Sequence, residues 1–389
     1  MITTLAVHGY RSLRDLVVPL GGLTVVTGAN GSGKSSLYQA FRLLSDTSSG
    51  GLVSALAEAG GLSSVLWAGP ETISRAMRNG EVPVQGKGSR RRPVSLMLGF
   101  ATAEFSYLVD VGLPTPSRSL FAGDPELKRE VVWDGPVLRP ATTLLTRLRG
   151  AVKVRAERGW ETVVEDLGPR ESVLTTLSDP RGYPELAAVR AAVSSWRFHD
   201  DIRTDRRAPA RQPQIGTWSP ILDHDGRNLA AAVETVRESA WATVLDGAIA
   251  DAFDGTTLEV TASDEGLFFL SLRQPGMLRP MGVAELSDGT LRYVAMATAL
   301  LSPRPPSLLV LNEPETSLHP QLTEPLARLI TAAAHRTQIV VVTHSAALVS
   351  AIGHEAPDAV QHELVKELGE TRVAEQGLLT RPTWDWGSR

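Results

Sequence analysis

The residues from Gly28 to Ser35, which read Gly-Ala-Asn-Gly-Ser-Gly-Lys-Ser, have the composition and spacing of a phosphate-binding loop. Glycines let such a loop fold so that its backbone N–H groups point at phosphate oxygens, and a following helix adds its positive end. In this chemistry Lys34 pairs with the β- and γ-phosphates of ATP, and the Ser35 hydroxyl binds Mg²⁺. The alternative is a glycine-rich turn with an incidental lysine. An apolar strand pattern before the loop and a helical pattern after it favour the phosphate loop, whose predicted ATP contacts are Asn30, Gly31, Ser32, Gly33, Lys34, Ser35 and Ser36.

A second group of chemical residues follows the apolar run at 307–311 and reads Asn312-Glu-Pro-Glu. A carboxylate at the tip of such a strand can hold the Mg²⁺ shell, and the next one can orient the attacking water. The first position here is Asn312, which accepts a hydrogen bond from a metal-bound water but brings no charge. Glu313 occupies the second position. Taken alone, the motif is equally well explained as a buried strand that ends in a polar turn.

Three further short motifs follow the phosphate loop in a defined order. They are Leu286-Ser-Asp-Gly-Thr before a helical pattern, Ser317-Leu-His-Pro after the acidic group, and Val-Val-Thr-His344 at the end of the next apolar run. Each is weak alone, because a Ser-Asp-Gly sequence is more often a helix cap. Their order and spacing after the phosphate loop are together a much stronger signal than any one motif.

These residues together resemble the ABC-type ATPase heads of the SMC, RecF and OLD-like group, over about 1–45 and 280–355. The resemblance implies a homodimer with ATP held between two copies. It implies that Glu313 is the catalytic base or a water-positioning residue, that His344 senses the γ-phosphate, and that Lys34 shares in catalysis. It also implies a signature motif that contacts the other copy's nucleotide and a D-loop at the dimer seam. The signature residues are Ser287, Asp288 and Gly289, and the D-loop residues are Ser317 and His319.

The N-terminal segment Gly9-Tyr-Arg-Ser-Leu-Arg also resembles this group, and by that resemblance Arg11 and Ser12 lie near the base of ATP. Among its members, the bacterial OLD-like "predicted AAA ATPases" carry similar phrases around Trp67, Leu286 and Asn312. Two departures matter. Asn312 replaces the usual aspartate, which bears on metal affinity rather than ATP binding, and the Q-loop is placed only approximately, at 60–69.

The apolar runs at 307–311 and 339–343 lack polar alternation, and helical patterns at 291–301, 321–334 and from 346 surround them. Buried strands that alternate with helices predict a parallel sheet covered on both faces. The predicted fold is therefore α/β, a P-loop NTPase of ABC-ATPase type split by an α+β insertion. The predicted domains are 1–60 and 280–389 for the two parts of the head and 61–279 for the insertion.

Within the insertion, alternating segments between 94 and 166 predict an antiparallel sheet, and helices are predicted at 184–198 and 229–253. The helical spacing of Trp196 to Asp200 favours a core position over a base-stacking surface. The glycine-rich span 50–69 is predicted to be a loop-bearing junction.

Two arginine-rich stretches raise the question of a phosphate-binding patch. Arg90–Arg92 and the arginines of the predicted exposed loop 203–213 fit either such a patch or a solvated loop, with the solvated loop the commoner case. Trp384 and Trp386 are interpreted as anchors for the tail or for a partner. The patch residues in the second loop are Arg203, Arg206, Arg207 and Arg211.

The whole chain limits the classes of function. It has 389 residues, a formal net charge of −4 and no cysteine, which argues against general capture of nucleic acid and excludes thiolate metal sites. Its apolar runs are far shorter than the ~20 residues needed to span a bilayer, and no secretory signal is evident, so a cytoplasmic location is predicted. The chain shows no long heptad run, and too little of it follows His344 for a Toprim nuclease domain.

Four functions remain open from the sequence. The first is an ATP-gated switch that acts on DNA in repair or in defence against foreign DNA. The second is an ATPase that regulates a separate effector, such as a nuclease or toxin. A transport ATPase subunit is a third, disfavoured by the long insertion, and a nucleotide switch with negligible turnover is a fourth, suggested by Asn312.

Overall fold

The computed structural model describes residues 1–70, 95–115, 118–177, 179–200, 202–377 and 379–387. In chain order, its strands are β1 (Ile2–Tyr10), β2 (Leu13–Pro19), β3 (Leu23–Gly28), β4 (Ser95–Thr102), β5 (Phe105–Gly112), β6 (Glu126–Asp134), β7 (Thr143–Leu148), β8 (Ala151–Ala156), β9 (Gly159–Val164), β10 (Arg197–His199), β11 (Gln214–Ile215), β12 (Thr257–Ala262), β13 (Leu267–Arg273), β14 (Met281–Gly282), β15 (Leu308–Asn312), β16 (Gln338–Val342), β17 (Val360–Glu367) and β18 (Glu370–Val373).

The described residues also form ten α-helices and three short 3-10 turns. They are Lys34–Thr47, Leu52–Glu58, Leu62–Val65, Val173–Thr176, Pro184–Ser194, Leu229–Arg237, Ala242–Ala252, Asp288–Leu300, Thr323–Ala334 and Ala346–Glu355, with short 3-10 turns at Pro209–Arg211, Val283–Glu285 and Pro320–Leu322. None of these helices has both the length and the apolar character that crossing a membrane requires.

The chain forms two compact units, and the boundary between them falls within β3. The first unit comprises Met1–Gly21, Val26–Trp196 and His362–Arg389. Its main element is an antiparallel sheet of eight strands in the order β2-β1-β4-β5-β6-β7-β8-β9. The end of β3 also lies in this unit beside β17, where the Thr27 hydroxyl donates to the His362 carbonyl (3.4 Å). The phosphate loop and its helix therefore belong to the first unit.

The C-terminal tail of the first unit is fixed to the eight-stranded sheet. Trp384 packs edge-on against Trp133, with ring centroids 5.8 Å apart. Arg381 pairs with Asp15 of β2 (2.8 Å). Burial alone would raise the pKa of Asp15, but the neighbouring His8 (3.9 Å) and the hydrogen bond from Arg381 outweigh burial and lower that pKa. Of the two interpretations of the C-terminal tryptophans, the structure supports anchoring of the tail.

The second unit comprises Gly22–Val25 and Arg197–Gln361. Its parallel strands lie in the order β10-β15-β16, followed by the start of β3. All five residues of β16 are buried, as expected for a strand with helices on both faces. A small antiparallel sheet has the order β11-β13-β12, with β14 also paired to β13. Because β10, β15 and β16 are parallel, their carboxyl ends lie at one edge of the sheet, and this edge positions the acidic motif.

The structure corrects two helix predictions. The helix predicted at 184–198 ends at Ser194, and Arg197–His199 forms β10, so the segment from Trp196 to Asp200 is not an amphipathic helix. Trp196 is nevertheless buried. The helix predicted at 229–253 is two helices. The break follows from Ser239, whose hydroxyl donates to the Val236 carbonyl and accepts from the Trp241 N–H, in competition with the helical ladder.

The loop predictions also need correction. The span 50–69 contains the helices Leu52–Glu58 and Leu62–Val65. Within the predicted exposed loop 203–213, Arg211 is only 7% exposed, so it does not belong to a solvated patch. Arg90–Arg92 lie outside the described residues. The domain limits at 60 and 279 stay a prediction.

Candidate functional site

The phosphate loop has a backbone that requires its glycines. Gly28, Gly31 and Gly33 all have positive φ, at 146°, 78° and 111°. A Cβ on Gly28 would lie 2.4 Å from the Leu364 carbonyl oxygen, and one on Gly33 would lie 2.3 Å from the Thr371 hydroxyl. Any side chain at either position would therefore meet both conformational strain and a clash. The loop is built for close approach of backbone N–H groups to a ligand.

Lys34 begins the helix that follows the loop and turns back over it. Its ammonium donates to the carbonyls of Gly28 (2.5 Å) and Ala29 (3.1 Å), and the residue is only 6% exposed. Ser35 is exposed, and Ser36 is buried. The lysine charge is thus held at the mouth of the loop by two weak neutral partners, which an anionic phosphate could replace.

A threonine that sequence reasoning missed supports the phosphate loop. The Thr371 hydroxyl, on β18, donates to the Ser32 carbonyl (2.6 Å) and lies 2.8 Å from the Ser12 hydroxyl. The Thr371 N–H also donates to the Ser12 carbonyl (2.8 Å). Ser12, predicted from the N-terminal resemblance, is therefore brought next to the loop. No signal in the sequence marks Thr371, because it lies more than 300 residues away in a short strand.

The turn between β1 and β2 lines a cavity of about 400 Å³ in the first unit. Arg11 in this turn is exposed and has a φ of 48°, which is uncommon for a residue with a side chain. The Arg11 N–H donates to the Val65 carbonyl (2.6 Å), so the turn adjoins the region proposed for the Q-loop. The cavity is lined by residues that include Arg11, Ser12, Trp67, Pro70, Lys366 and Gly369.

In the second unit, the acidic motif follows the end of β15. Glu313 has a φ of 50°, a left-handed conformation that costs about 1–3 kcal/mol and persists only where surrounding contacts impose it. The contact here is the Glu313 N–H, which donates to the Val342 carbonyl at the end of β16 (2.7 Å). This kink takes Glu313 out of the alternating direction of the strand. Asn312, the last residue of β15, is opposite Val342 in the ladder.

The kink brings Glu313 to His344. Glu313 Oε1 lies 3.1 Å from His344 Nδ1, so the two predicted catalytic residues of this unit are within hydrogen-bonding distance. Glu315, which sequence reasoning left without a role, lies close to His344: its Oε1 is 4.0 Å from His344 Nδ1 and accepts from the Thr343 hydroxyl. Glu315 Oε2 is buried and has no hydrogen-bond partner among the described residues.

A buried histidine ends the neighbouring strand. His199 closes β10 and pairs in register with Leu311 of β15, one residue before Asn312. Because the carboxyl ends of parallel strands meet at one edge, His199 belongs to the same edge as Asn312 and His344. It is 4% exposed, and burial, the largest influence, lowers its pKa to about 4. No local signal marked this strand, because Arg197-Phe-His contains no apolar run.

The predicted signature motif begins the helix Asp288–Leu300. The Ser287 hydroxyl accepts from the Thr290 N–H (3.1 Å) and therefore caps the helix, as the plainer interpretation held. A Cβ on Gly289 would lie 2.7 Å from the Ser317 carbonyl oxygen, so the predicted signature and D-loop segments lie in contact. Ser317 itself has a φ of 64°. In the D-loop, His319 accepts from the Gln321 N–H through Nδ1 (3.3 Å).

The residues fit an ATP phosphate and offer oxygen ligands of the kind Mg²⁺ prefers. The loop is open at Gly31, where nothing lies within 4 Å of a Cβ built on the backbone. The Ser35 hydroxyl, which is exposed, and the Asn312 amide, which is half-buried, remain the predicted oxygen donors. Among the described residues no cluster of three or more His, Cys, Asp or Glu side chains forms a metal site by itself.

Comparison with known proteins agrees with this geometry. Residues 23–350 match the family model described as "AAA domain, putative AbiEii toxin, Type IV TA system". The fold is similar to an SMC head solved with the C-terminal winged-helix domain of ScpA (14% identity, TM-score 0.50, 97% and 98% of the two chains covered). It is also similar to the Smc head domain of Pyrococcus furiosus, solved with an extended coiled coil and the C-terminal domain of ScpA (13%, 0.50, 97% and 96%). No curated protein matches the chain. The predicted α/β fold of ABC-ATPase type is confirmed.

Proposed function

Since this chain belongs to the AAA-domain family whose model it matches over 23–350, we propose that it binds and hydrolyses ATP as an ATP-gated dimeric switch. The observation that carries the proposal is the pairing of Glu313 with His344 at 3.1 Å, forced by a strained backbone at the end of β15. Strain of this kind persists at functional sites, where the surrounding structure imposes it. The ready-made phosphate loop supports ATP as the ligand.

Each residue of the proposed mechanism has a distinct task. The backbone N–H groups of the loop bind phosphate oxygens, and Lys34 exchanges its two carbonyl partners for the β- and γ-phosphates. Glu313 accepts a hydrogen bond from the attacking water and takes its proton. His344 is hydrogen-bonded to Glu313. It contacts the γ-phosphate and so links the presence of that phosphate to the position of the Glu313 carboxylate. Ser35 and Asn312 would be the residues to hold Mg²⁺, and the ion would supply positive charge to the phosphates.

The proposed dimer completes the nucleotide site. Ser287 and Gly289 begin a helix of 13 residues, and a helix N-terminus favours an anion. We propose that this end meets the γ-phosphate held by the other copy's loop. Because Gly289 touches the Ser317 carbonyl, closure would move the signature and the D-loop of one copy together.

The test uses light scattering on the Glu313→Gln variant with and without saturating ATP and Mg²⁺. We expect a monomer or weak dimer without ATP and a tight dimer with it, because binding is kept while hydrolysis is blocked. The matched control is the Lys34→Ala, Glu313→Gln double variant, which should stay monomeric. An unchanged mass for Glu313→Gln in saturating ATP would overturn the composite site.

For the biological role, we propose an OLD-like ATPase that acts in DNA repair or in defence against foreign DNA. The second candidate is an ATPase that regulates a co-encoded nuclease or toxin, and two observations favour it. The family description names a toxin of a toxin–antitoxin system. The candidate phosphate patch also loses two of its arginines, since Arg211 is buried and Arg203 pairs with Asp205 (2.9 Å). An ATPase rate that rises with double-stranded DNA would favour the first role, and an unchanged rate would favour the second.

A further inference from the structure

Arg211 is a buried arginine whose contacts converge on the signature motif. It ends the short 3-10 turn Pro209–Arg211, and its side chain is 5% exposed. Its guanidinium donates to the Leu286 carbonyl (2.9 Å), to the Val283 carbonyl and to the Asp288 carboxylate (2.8 Å). The Nε–H donates to the Thr204 carbonyl (2.6 Å), which fixes the plane of the guanidinium. The Arg211 side chain is thus hydrogen-bonded to the residues on both sides of Ser287.

A second arginine ties the same helix to the parallel sheet. Arg292, in the second turn of the helix Asp288–Leu300, donates to the Asp200 carbonyl just after β10 (2.7 Å). In turn, β10 pairs in parallel with β15, the strand that ends at Asn312. The signature helix is therefore held at its start by Arg211 and one turn later by the strand beside the acidic motif.

Stability alone does not explain why an arginine occupies position 211. A buried charge is costly to desolvate, and among the described residues the one anionic partner of Arg211 is Asp288, which is 62% exposed. The remaining partners are three neutral carbonyls. An apolar side chain would leave the three carbonyls without a donor, so the position requires a hydrogen-bond donor. Among donors, the rigid fork of a guanidinium is the one that fixes the direction of several carbonyls at once.

We propose that Arg211 is a positioning residue that orients the signature motif, so that Ser287 and the helix N-terminus are presented to the nucleotide of the other copy. The inference rests on the proposed ATP-dependent dimer. It assigns to the segment from Ile202 to Arg211 a role in dimer closure rather than in anion binding. Arg211 acts only through the signature motif and does not itself contact ATP.

The test compares Arg211→Gln and Arg211→Lys, both in the Glu313→Gln background. Two constants are measured: ADP affinity by calorimetry, which reports the phosphate loop alone, and the dimer dissociation constant in saturating ATP by light scattering. We expect Arg211→Gln to weaken the dimer about tenfold or more with unchanged ADP affinity, because bonds from a charged donor are lost around Ser287. Lysine keeps the charge but not the fork, so Arg211→Lys should be intermediate. The matched control is Arg273→Gln, which removes an exposed Arg–Glu pair in the same unit and should leave both constants unchanged.

A double-variant cycle separates positioning from a general loss of stability. In a Ser287→Ala background, Arg211→Gln should weaken the dimer further by less than about threefold, since both changes act on one contact. Full additivity, or a dimer as tight as the parent's, would overturn the proposal. If Arg211→Gln does not fold, the variants Arg211→Lys and Asp288→Asn replace it in the test. Dimer dissociation constants equal to the parent's for both variants would overturn the proposal. If the Glu313→Gln parent itself stays monomeric in ATP, the dimer proposal fails first and this one with it.

Discussion

The phosphate loop and the edge formed by β15 and β16 are built in opposite ways. The loop is one continuous stretch whose shape follows from its own glycines, with Thr371 as its main outside support. The edge is assembled from separate segments: His199, Asn312 to Glu315, and Thr343 to Ser345. A continuous motif carries its chemistry in its local sequence. An assembled site depends on strand order, which a sequence reveals only indirectly.

The two regions also differ in how their charged groups are satisfied. Lys34 is held by neutral carbonyls, which phosphate oxygens can displace with a gain, because charge-assisted hydrogen bonds are stronger. Glu313 and His344 are hydrogen-bonded to each other. We therefore expect the loop to govern ATP affinity, and the edge to govern the step after binding.

The largest expected effect comes from the loop. Lys34→Ala should reduce ATP affinity by about 2–5 kcal/mol, because the ammonium meets phosphate in the ground state as well as the transition state. Turnover should then disappear at ordinary ATP concentrations. Calorimetry with ATP measures the affinity, and Lys34→Arg is the control that keeps the charge. An ATP affinity within threefold of the parent's for Lys34→Ala would place the phosphates elsewhere.

At the edge, Glu313→Gln should lower kcat without a comparable loss of ATP affinity. We expect ATP affinity to stay within about threefold, while kcat falls about a hundredfold or more through loss of a general base. The amide preserves the size of the side chain and a hydrogen bond to His344, so the strained turn should be kept. Phosphate release and calorimetry on one preparation provide the comparison. Equal losses of affinity in Lys34→Ala and Glu313→Gln would contradict the division of labour between the regions.

The sequence predicted correctly those elements whose structure depends on residues close together in the chain. The loop from Gly28 to Ser35 and the strand–helix alternation at the C-terminal end are set by glycine geometry and by burial of apolar strands, both legible in short windows. Prediction from the sequence failed at Trp196 to Asp200, where pairing with β15 overrode helical spacing. It failed again at Arg211, because burial of an arginine depends on carbonyls more than 70 residues away. Thr371 and Glu315 gained their contacts only from the fold.

A pH measurement tests whether the edge is as buried as His199 indicates. Burial lowers the pKa of His199 to about 4 from its ordinary value of 6.5, so the unfolded chain binds more protons between those values. Stability from this group is complete above pH 6.5 and is lost as pH falls toward 4, by about 2 kcal/mol at pH 5. Urea unfolding at pH 7.5 and pH 5 should show a smaller loss for His199→Gln than for the parent. Equal losses would mean that His199 titrates normally, and that this end of the sheet is open to water.

The smallest predicted effect concerns Asn312, which ends β15 at the edge and is proposed to help bind Mg²⁺. If Mg²⁺ reaches this side chain only through water, a neutral amide still accepts the hydrogen bond but contributes no charge. The missing attraction is on the order of 1–4 kcal/mol for charges near 4 Å, and a half-exposed position with an intervening water lies at or below the low end. Asn312→Asp should therefore lower the Mg²⁺ concentration for half-maximal ATPase activity by about three- to tenfold, with ATP affinity in the absence of metal unchanged. Asn312→Ala is the matched control and should raise the Mg²⁺ requirement. Should Asn312→Asp and Asn312→Ala both give the parental Mg²⁺ curve, Asn312 only ends the strand, and the edge acts on water and γ-phosphate through Glu313 and His344 alone.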